Sequence, residues 1–517
     1  MRSYEQNEDG SYSYTTNRVG NEVSTDLNST NETAGDRRIY LEAMVDYNRT
    51  FGRHDVNAML LYNQDELVNN VPGNNLINSL PKRKQGLAGR LSYAYDGKYM
   101  AEVNMGYNGS ENFAKGHRWG FFPSIALGYN ISEESFFEPL RKVITSMKLR
   151  GSCGLVGNDQ IGGERFIYMP TINLSGKGFT TGIDQNYGLS GPVYTRYENN
   201  SITWEVGEKI NLGIDLQLLN SLNIVVDIFR ETRRDIFQKK GTIPTYLGTG
   251  NTDVFGNLAE MKNQGLDLSI DYNKAFSKDF YMNFKGTFTY AHNEITKYDE
   301  APKYAFQSKV GQSANVSQGY LSNGLFLDEA EIDRYNQQMG STLGAGDIKY
   351  LNVSNMHGYG DDIVDVDDWT WIGNPTVPEI VYGFGPSFKY KNWDFSFFFQ
   401  GVAKTSLFMS GFHPFGDNSL RNVLQFVAND RWSPTNQNVD AKYPRLTRKT
   451  SLNNTNPGNS GRTSDYWMRD GSFLKLKNME LGYTFKRMRF YISGSNLLTF
   501  SKFDLWLSLI HISEPTR

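Results

Sequence analysis

The sequence predicts an all-β protein, an antiparallel transmembrane β-barrel, from three observations. First, apolar and polar side chains alternate with a period of two in runs of ~10–12 residues, whereas strands of globular proteins average ~5–6 residues. Second, hairpin signals such as Asp96-Gly97 separate consecutive runs. Third, aromatic residues make up 14% of the chain, with 31 Tyr and 32 Phe, as expected for aromatic girdles at both membrane interfaces. One face of each strand is therefore expected to meet lipid and the other a water-filled lumen.

The composition excludes several other classes of protein. No run of ~18 apolar residues occurs, so no transmembrane helix is predicted. The mean hydropathy of -0.53 is compatible with membrane strands, which need only alternate. The net charge of -3 gives no support for a nucleic-acid partner. Cys153 is the single cysteine, which excludes an internal disulfide.

The alternation repeats along the chain in about fourteen strands, with boundaries loose by ~2–4 residues. In the strand over 85–95, Leu91 and Tyr93 lie on the apolar face and Arg90 on the polar face. Near Asn478 the phase slips by one residue, which predicts a β-bulge. The predicted strands cover residues 38–50, 54–63, 85–95, 98–108, 119–129, 146–155, 210–217, 222–228, 266–272, 282–290, 382–390, 395–399 and 474–485, and a last strand opens at 490.

Short turns alternate with long connections between these strands. In outer-membrane barrels the short turns are periplasmic and the long loops extracellular. The long connections here are rich in Gly, Asn, Asp and Tyr, and binding residues concentrate in loops of this kind. The long connections are predicted over residues 64–84, 156–205, 235–263, 293–379 and 403–472.

Three regions are predicted from these patterns. Residues 1–37, rich in Asn, Ser and Thr, are expected to be a loop or a partial strand region. Residues 38–506 are expected to form the barrel region with its long loops. Residues 507–517 (LSLIHISEPTR) break the alternation and resemble the translation of a sequencing-library adapter, so this tail is predicted to be non-native. Because the start also lacks a signal-peptide pattern, we expect the sequence to be truncated at both ends.

Short motifs along the chain resemble the SusC/RagA-type TonB-dependent outer-membrane transporters. Each motif alone is weak evidence, but their order over residues 38–506 makes the combination specific. The matching segments are 149–162 (LRGSCGLVGNDQIG), 204–205 (WE) before 211–215 (NLGID), 346–350 (GDIKY), 372–375 (IGNP), 382–384 (YGF), 399–402 (FQGV), 467–474 (WMRDGSFL) with 476–478 (LKN), and 493–497 (SGSNL).

The resemblance implies a barrel of about 22 strands closed by a plug, of which about 14 strands would be present here and the plug absent. It implies a place in the outer membrane of a Gram-negative bacterium of the Bacteroidota. It also implies loading by a SusD-like surface lipoprotein and energy from the TonB complex, reached through the missing N-terminal region. Oligosaccharide is the first expectation for the cargo, and peptide is the alternative.

Two other classes of function stay open at this point. A passive porin-like channel would share the barrel but would lack the plug and the TonB contact. An outer-membrane enzyme or adhesin with a barrel anchor should show catalytic residues converging in one loop, and no such set is visible in the sequence. We therefore expect transport of a nutrient oligomer without covalent chemistry.

Charged residues on the polar face of the strands are the first candidates for contact with cargo. A charge on the lipid face costs ~2–4 kcal/mol near the bilayer midplane, so their steady placement on the other face indicates a lumen. Most such residues are expected to hydrate the wall or to hold the plug. The candidates for cargo contact are Arg90, Glu102, Arg150 and Asp215.

Aromatic residues of the long loops are the second set of candidates. Flat rings suit the C–H faces of sugars, and ligand sites combine aromatic rings with a few polar groups. The alternative is that these rings pack the loops or lie in the outer girdle. The candidates are Tyr320, Phe326, Trp369 and Trp371.

An acidic stretch within the connection 293–379 is the best candidate for a metal site. Calcium binds several oxygen ligands from one short loop, and Asp361, Asp365 and Asp367 would supply them. The spacing departs from the calcium-loop signature, and no glutamate stands at its twelfth position. A solvated acidic loop is the main expectation, and no other cofactor is expected.

Overall fold

A computed structural model of the chain describes residues 2–7, 11–16, 35–71, 76–162, 164–244, 253–335, 337–338, 343–359, 361–409, 424–446, 454 and 463–503. Within these residues, no helix combines the length and the apolar character needed to cross a membrane. The tail predicted to be non-native, residues 507–517, lies outside the described residues. Contacts divide the chain into a small unit, Met1–Tyr40 with Asp65–Arg83, and a large unit, Leu41–Gln64 with Lys84–Arg517.

Strands dominate the described residues and are numbered here in chain order. The first fourteen are β1 (Arg2–Gln6), β2 (Tyr12–Thr16), β3 (Asp36–Phe51), β4 (His54–Asn69), β5 (Lys82–Tyr95), β6 (Tyr99–Ser110), β7 (Trp119–Asn130), β8 (Ile144–Asn158), β9 (Thr171–Thr181), β10 (Tyr187–Arg196), β11 (Glu205–Leu218), β12 (Leu222–Lys239), β13 (Phe255–Ala275) and β14 (Phe280–Lys297). The others are β15 (Ser317–Gly319), β16 (Ser322–Leu325), β17 (Gln337–Gln338), β18 (Ile348–Tyr350), β19 (Ile363–Val364), β20 (Thr370–Ile372), β21 (Ile380–Tyr390), β22 (Trp393–Ala403), β23 (Ser406–Phe408), β24 (Met468–Asp470), β25 (Phe473–Phe485) and β26 (Met488–Ser501).

Helices are short and lie in the connections. The α-helices of the described residues are α1 (Leu76–Ser79), α2 (Glu329–Arg334), α3 (Val353–Met356) and α4 (Gln425–Asn429). Short 3₁₀ segments cover Ile131–Glu133, Ser135–Leu140, Ala305–Gln307, Val366–Asp368 and Asp465–Trp467.

Fourteen strands form one sheet, which confirms the predicted all-β fold and the predicted strand number. The order is β26-β25-β22-β21-β14-β13-β12-β11-β8-β7-β6-β5-β4-β3, so each strand of this sheet lies beside the next sheet strand along the chain. The ladders from β5 to β26 are antiparallel. Short turns join the strands at one end, and the long connections leave from the other.

The two faces of this sheet differ in the way that the alternation predicts. On the apolar face, Leu91, Leu127 and Leu212 are 52%, 59% and 63% exposed. The opposite face carries charged residues such as Arg150 and Asp215, which form an ion pair. Monomeric soluble proteins rarely expose contiguous apolar patches above a few hundred Å². The exposed apolar side chains on this face therefore suit contact with lipid.

The predicted β-bulge near Asn478 is confirmed. The β25–β26 ladder shifts register between Leu476 and Asn478, and the β22–β25 ladder shifts between Phe398 and Phe399 at the same level. A shift of one residue in an alternating sequence would move every following side chain to the other face. The extra residue of the bulge compensates for this shift, so the apolar residues in the second half of β25 stay on the apolar face.

Two predicted connections are too long. In the one over 64–84, β4 continues to Asn69 and β5 begins at Lys82. The sequence predicts a connection over 235–263, but β12 continues to Lys239 and β13 begins at Phe255, and these two residues pair with each other. The alternation is hidden there by register shifts between Arg233 and Phe237. The true connection covers residues 240–254.

The small unit contains a separate hairpin and several ion pairs. Strands β1 and β2 are antiparallel, with Arg2 opposite Thr16. The Arg38 guanidinium binds the Asp65 carboxylate through two hydrogen bonds of 2.8 and 2.9 Å. The ion pair between Arg83 and Glu66 is 2.7 Å long.

The two longest connections pack into a hydrophobic core of their own, which we call the loop core and which the sequence does not predict. One connection runs from β14 to β21 and the other from β22 to β25. Burial on this scale gives the described parts of both connections a defined structure, because it offsets the entropy lost on ordering the chain. From the two connections, the members of the loop core are Tyr320, Leu325, Ile348, Tyr350, Val364, Leu407, Met409, Val427, Trp432, Ala441, Tyr443 and Trp467, and Phe503 joins them from the segment after β26.

The connection from β8 to β11 also holds structure that the sequence does not predict. It contains the antiparallel hairpin β9–β10, and a smaller core lies beside the end of β8. Trp204 belongs to that core, and its indole N–H donates a hydrogen bond of 3.1 Å to the Arg118 carbonyl oxygen. The members of this smaller core are Phe113, Ile161, Ile167, Ile202 and Trp204.

We expect Phe326→Ala to destabilise the segment beside the loop core by about 3–5 kcal/mol, because removing a buried ring leaves a cavity. Phe326 is fully buried, and its carbonyl oxygen accepts a 2.7 Å hydrogen bond from the Gly346 amide. Hydrogen–deuterium exchange at residues 343–350 measures the loss of protection. Phe136→Ala, at a ring that is 68% exposed, is the control. Unchanged protection in Phe326→Ala would contradict the buried structural role.

Candidate functional site

The polar face of the sheet carries an ion-pair cluster centred on Arg150 of β8. Its guanidinium contacts Asp215 of β11 at 2.9 Å and Asp227 of β12 at 2.9 Å. The sequence-predicted candidates Arg150 and Asp215 are therefore brought together. One arginine therefore binds two carboxylates. The Asp227 carboxylate is incompletely satisfied, because its Oδ1 atom is buried without a hydrogen bond.

A glycine makes this cluster possible. Gly213 lies directly between Arg150 and Asp227 in the ladders. A Cβ at Gly213 would stand 2.5 Å from Asp227 Oδ1 and 2.9 Å from Arg150 Cζ, both too close for contact. The glycine of the segment 211–215 (NLGID) therefore leaves the space in which the Arg150 side chain crosses β11.

Glu102 and Arg150 line the same cavity of about 480 Å³, together with Asp55, Ser92 and Lys148. Glu102 accepts hydrogen bonds of 2.9 Å from the Ser92 hydroxyl and of 2.9 Å from the Asn104 amide. The cavity lies within the size range of small-molecule sites.

Arg90 and Asp215 are on the polar face but do not line this cavity. Arg90 lies near it and donates a hydrogen bond of 3.4 Å to the Asn57 amide oxygen.

Two of the four aromatic candidates of the loops are buried, which corrects the interpretation of Tyr320 and Phe326 as ring surfaces for a sugar. Tyr320 and Phe326 are 1% and 0% exposed, because each packs within the two long connections. Trp369 packs edge-on against Tyr320, with 5.9 Å between ring centroids. Trp371 is half-buried and donates an indole hydrogen bond of 2.9 Å to the Ser308 carbonyl oxygen. Of the four candidates, Trp369 and Trp371 are partly exposed.

The acidic stretch is engaged by protein groups. Asp365 caps the 3₁₀ turn by accepting a 2.8 Å hydrogen bond from the Asp367 amide, while Asp367 forms an ion pair with Lys303. Asp361 accepts a 3.1 Å hydrogen bond from the Asn352 side chain. Among the described residues no three His, Cys, Asp or Glu side chains are placed to hold a metal ion. Calcium binding by Asp361, Asp365 and Asp367 stays a prediction from sequence.

Asp368, which follows the predicted ligands, is a structural residue. It is fully buried, and burial raises the pKa of its carboxyl group. It accepts hydrogen bonds from the backbone amides of Ser354 and Asp365, at 2.9 and 2.8 Å. Part of the acidic stretch therefore stabilises the folded loop through hydrogen bonds to its backbone.

A buried polar cluster of Asp347, Arg445 and Asn454, which we call the clasp, joins the two long connections and is not predicted from the sequence. Asp347 is fully buried and binds Arg445 through hydrogen bonds of 2.5 and 3.1 Å. The Asn454 amide donates to Asp347 Oδ1 at 2.7 Å. The bonds to Asp347 raise the pKa of the Arg445 guanidinium. Asp347 belongs to the family-like segment 346–350 (GDIKY), but its partner Arg445 is 98 residues away in the chain. No local sequence pattern therefore predicts this contact.

Comparison with known proteins agrees with this architecture. Residues 2–497 match the protein family described as TonB dependent receptor-like, beta-barrel. TonB-dependent receptor P3 of Formosa agariphila is 25% identical, over 94% of this chain and 49% of its own length. TonB-dependent receptor SusC of Bacteroides thetaiotaomicron is 28% identical, over 77% of this chain and 38% of its own length. The chain spans about half or less of the curated relatives it matches.

Solved structures share the fold. A structure of the RagAB peptide transporter superposes with a TM-score of 0.63 at 18% sequence identity, covering 90% of this chain and 52% of that one. The RagAB peptide importer in its 'closed-closed' state gives a TM-score of 0.63 at 20% identity, with the same coverage. At this level of identity the likeness concerns the arrangement of strands.

We expect Gly213→Ala to destabilise the sheet by about 1–3 kcal/mol, because the added methyl group overpacks the Arg150 cluster. The usual effect of this substitution in a strand is the opposite, since glycine weakens strands. The midpoint of urea unfolding, followed by circular dichroism of the protein in detergent, measures the change. Gly188→Ala is the matched control, since no atom lies within 4 Å of its Cβ position. Equal midpoints for the two variants would contradict the crowding.

We expect Asp347→Ala to loosen both long connections together, at a cost of about 3–5 kcal/mol, because it leaves the half-buried Arg445 without its carboxylate. Hydrogen–deuterium exchange should rise in residues 343–350 and also in 424–446. Asp333→Ala, at an exposed aspartate of the same connection, should change neither segment. Faster exchange in only one of the two segments would show that the clasp does not couple them.

Proposed function

The chain belongs to the TonB dependent receptor-like β-barrel family, and on this premise we propose that it forms wall strands and surface loops of an outer-membrane importer. The importer takes up a nutrient oligomer into a Gram-negative bacterium of the Bacteroidota with energy supplied through TonB. The observation that carries the proposal is the family match over residues 2–497, on a sheet of fourteen strands with one apolar and one charged face.

The proposed cargo is an oligosaccharide, delivered by a SusD-like surface lipoprotein. The motif resemblance to SusC/RagA-type transporters implies this pairing and this cargo class, and the 28% identity to TonB-dependent receptor SusC is consistent with that resemblance. RagAB, which shares the fold, is a peptide transporter, so peptide is the second cargo class. The half-buried rings of Trp369 and Trp371 at the loop end support a sugar over a peptide, because flat rings suit the C–H faces of pyranoses.

The proposed mechanism is conformational and involves no covalent step. The charged face of the sheet, with the Arg150 cluster, lines a hydrated path and can hold a plug by ion pairs. The loop core gives the extracellular end a defined shape, because Asp347 and Arg445 hold the two long connections to each other. Cargo would bind at this end, the surface lipoprotein would close over it, and a pull on the plug would release it inward.

Deletion of the gene for this chain in its host tests the proposal. We expect growth on the cargo oligosaccharide to be lost, while growth on its monosaccharide is unchanged, because small sugars cross through general porins. Disruption of TonB should give the same defect. The measurement is growth rate on each carbon source, with a plasmid-borne copy of the gene as the control.

Two outcomes would contradict parts of the proposal. Uptake that persists after TonB disruption would indicate a passive porin-like channel. A defect confined to growth on oligopeptides would replace the oligosaccharide with a peptide cargo.

A further inference from the structure

A second cavity, of about 520 Å³, lies at the end of the sheet from which the long connections leave. Its wall is built where β12 ends at Lys239 and where β14 ends at Lys297. Four lysines and two aromatic rings contribute to it: Lys239, Lys240, Lys303, Lys309, Tyr298 and Trp369. A cavity of this size is in the range of sites that bind small molecules.

The carboxylates of this cavity are occupied by the protein itself. The Asp299 carboxylate accepts a hydrogen bond of 3.0 Å from the Gly241 amide. Glu300 Oε1 accepts bonds of 2.7 Å from the Ser308 hydroxyl and of 2.8 Å from the Lys309 amide. Both carboxylates therefore hold the backbone around the cavity; they keep their negative charge, but neither forms an ion pair with a lysine of the described residues.

Two of the four ammonium groups have no carboxylate partner. Lys239 and Lys303 form ion pairs with Asp253 and Asp367. Lys240 forms no ion pair with a described residue. The Lys309 Nζ atom lies 4.4 Å from the centroid of the Tyr298 ring and donates a hydrogen bond of 3.3 Å to its hydroxyl. A ligand that brings an anion would therefore meet two ammonium groups that no carboxylate pairs, beside an aromatic ring and across from the hydrogen-bonded Asp299 and Glu300.

Neutral polar groups are also available. The side-chain amides of Gln307 and Gln318 both line the cavity. Gln318 donates a 2.7 Å hydrogen bond to the Gln307 carbonyl oxygen, and Gln307 donates to the Asp367 carbonyl oxygen at 3.1 Å. The Nε2 groups of both glutamines are thus engaged in hydrogen bonds to the protein, whereas their Oε1 oxygens accept no hydrogen bond from a described residue. Such acceptors suit the hydroxyl groups of a sugar.

We propose that this cavity binds an acidic sugar unit of the cargo, a pyranose that carries a carboxylate or a sulfate. The anion lies between Lys240 and Lys309, the C–H face of the ring stacks on Tyr298 or Trp369, and hydroxyl groups donate to the glutamine oxygens. The inference rests on the proposed import function and narrows its substrate class to anionic oligosaccharides. Neither the sequence motifs nor the wall cluster around Arg150 points to this site.

Titration calorimetry of the full chain in detergent tests the site with defined probes. The probes are trigalacturonic acid, its neutral methyl ester, a sulfated galactose trisaccharide and triglutamate. We expect trigalacturonic acid or the sulfated sugar to bind, and the ester to bind about tenfold more weakly, since a charge-assisted contact is about twice as strong as a neutral one. The stronger of the two acidic sugars identifies the anion.

Variants then locate the binding. Lys240→Gln and Lys309→Gln should each weaken binding of the acidic sugar by about three- to fivefold, the range for a partly exposed ion pair, and the double variant should weaken it further. Lys278→Gln is the matched control, since Lys278 is an exposed lysine in the short turn at the other end of β13 and β14. Lys240→Arg should retain affinity.

The results separate this site from the import function. If the neutral ester binds as well as the acid, or if both lysine variants keep full affinity, the acidic subsite is wrong even where deletion of the gene abolishes growth on the oligosaccharide. If triglutamate binds in place of the sugars, the cavity accepts an acidic peptide and the sugar assignment is wrong. Failure of the gene deletion to affect any oligomer would refute the import function itself.

Discussion

The period-two alternation on hydrogen-bonded antiparallel strands is the constraint on which the rest of the structure depends. In a bilayer every backbone N–H and C=O must be paired within the protein, so the ladders must be continuous. Once they are, the register decides which side chains meet lipid, and a slip of one residue would exchange the faces. The bulge at Asn478 shows how the chain absorbs such a slip: it adds one residue and keeps the remaining side chains on their proper face.

The contacts on the charged face follow from that register. Arg150 reaches across β11 because Gly213, its neighbour in the ladder, has no side chain, and it then meets carboxylates of two different strands. Single positions on three strands must match for this contact to exist. Because the apolar face cannot carry such charges at reasonable cost, the wall concentrates its polar interactions on one side, where they can serve a hydrated path.

The strands could be predicted from the sequence because their pattern is local, while the loops could not because their contacts are distant. The phase near Asn478 and the placement of Leu91 on the apolar face follow from neighbouring residues alone. Tyr320 and Phe326 look like exposed loop aromatics until the partner connection is present to bury them. The extension of β12 to Lys239 was hidden by irregular register. The lysines of the second cavity, at the end of the sheet from which the long connections leave, come from segments that are separated by about sixty residues, such as Lys240 and Lys303.

The buried clasp of Asp347, Arg445 and Asn454 limits how these loops can diversify. A loop that stands alone can change length and sequence freely, and so can acquire a new ligand by itself. Here each connection supplies half of a buried polar network, so replacement of one connection by that of a relative would strand a charged group in the interior. Changes of specificity at this surface should therefore be inherited as a matched pair of loops, and a chimaera built to transfer a specificity should exchange both together.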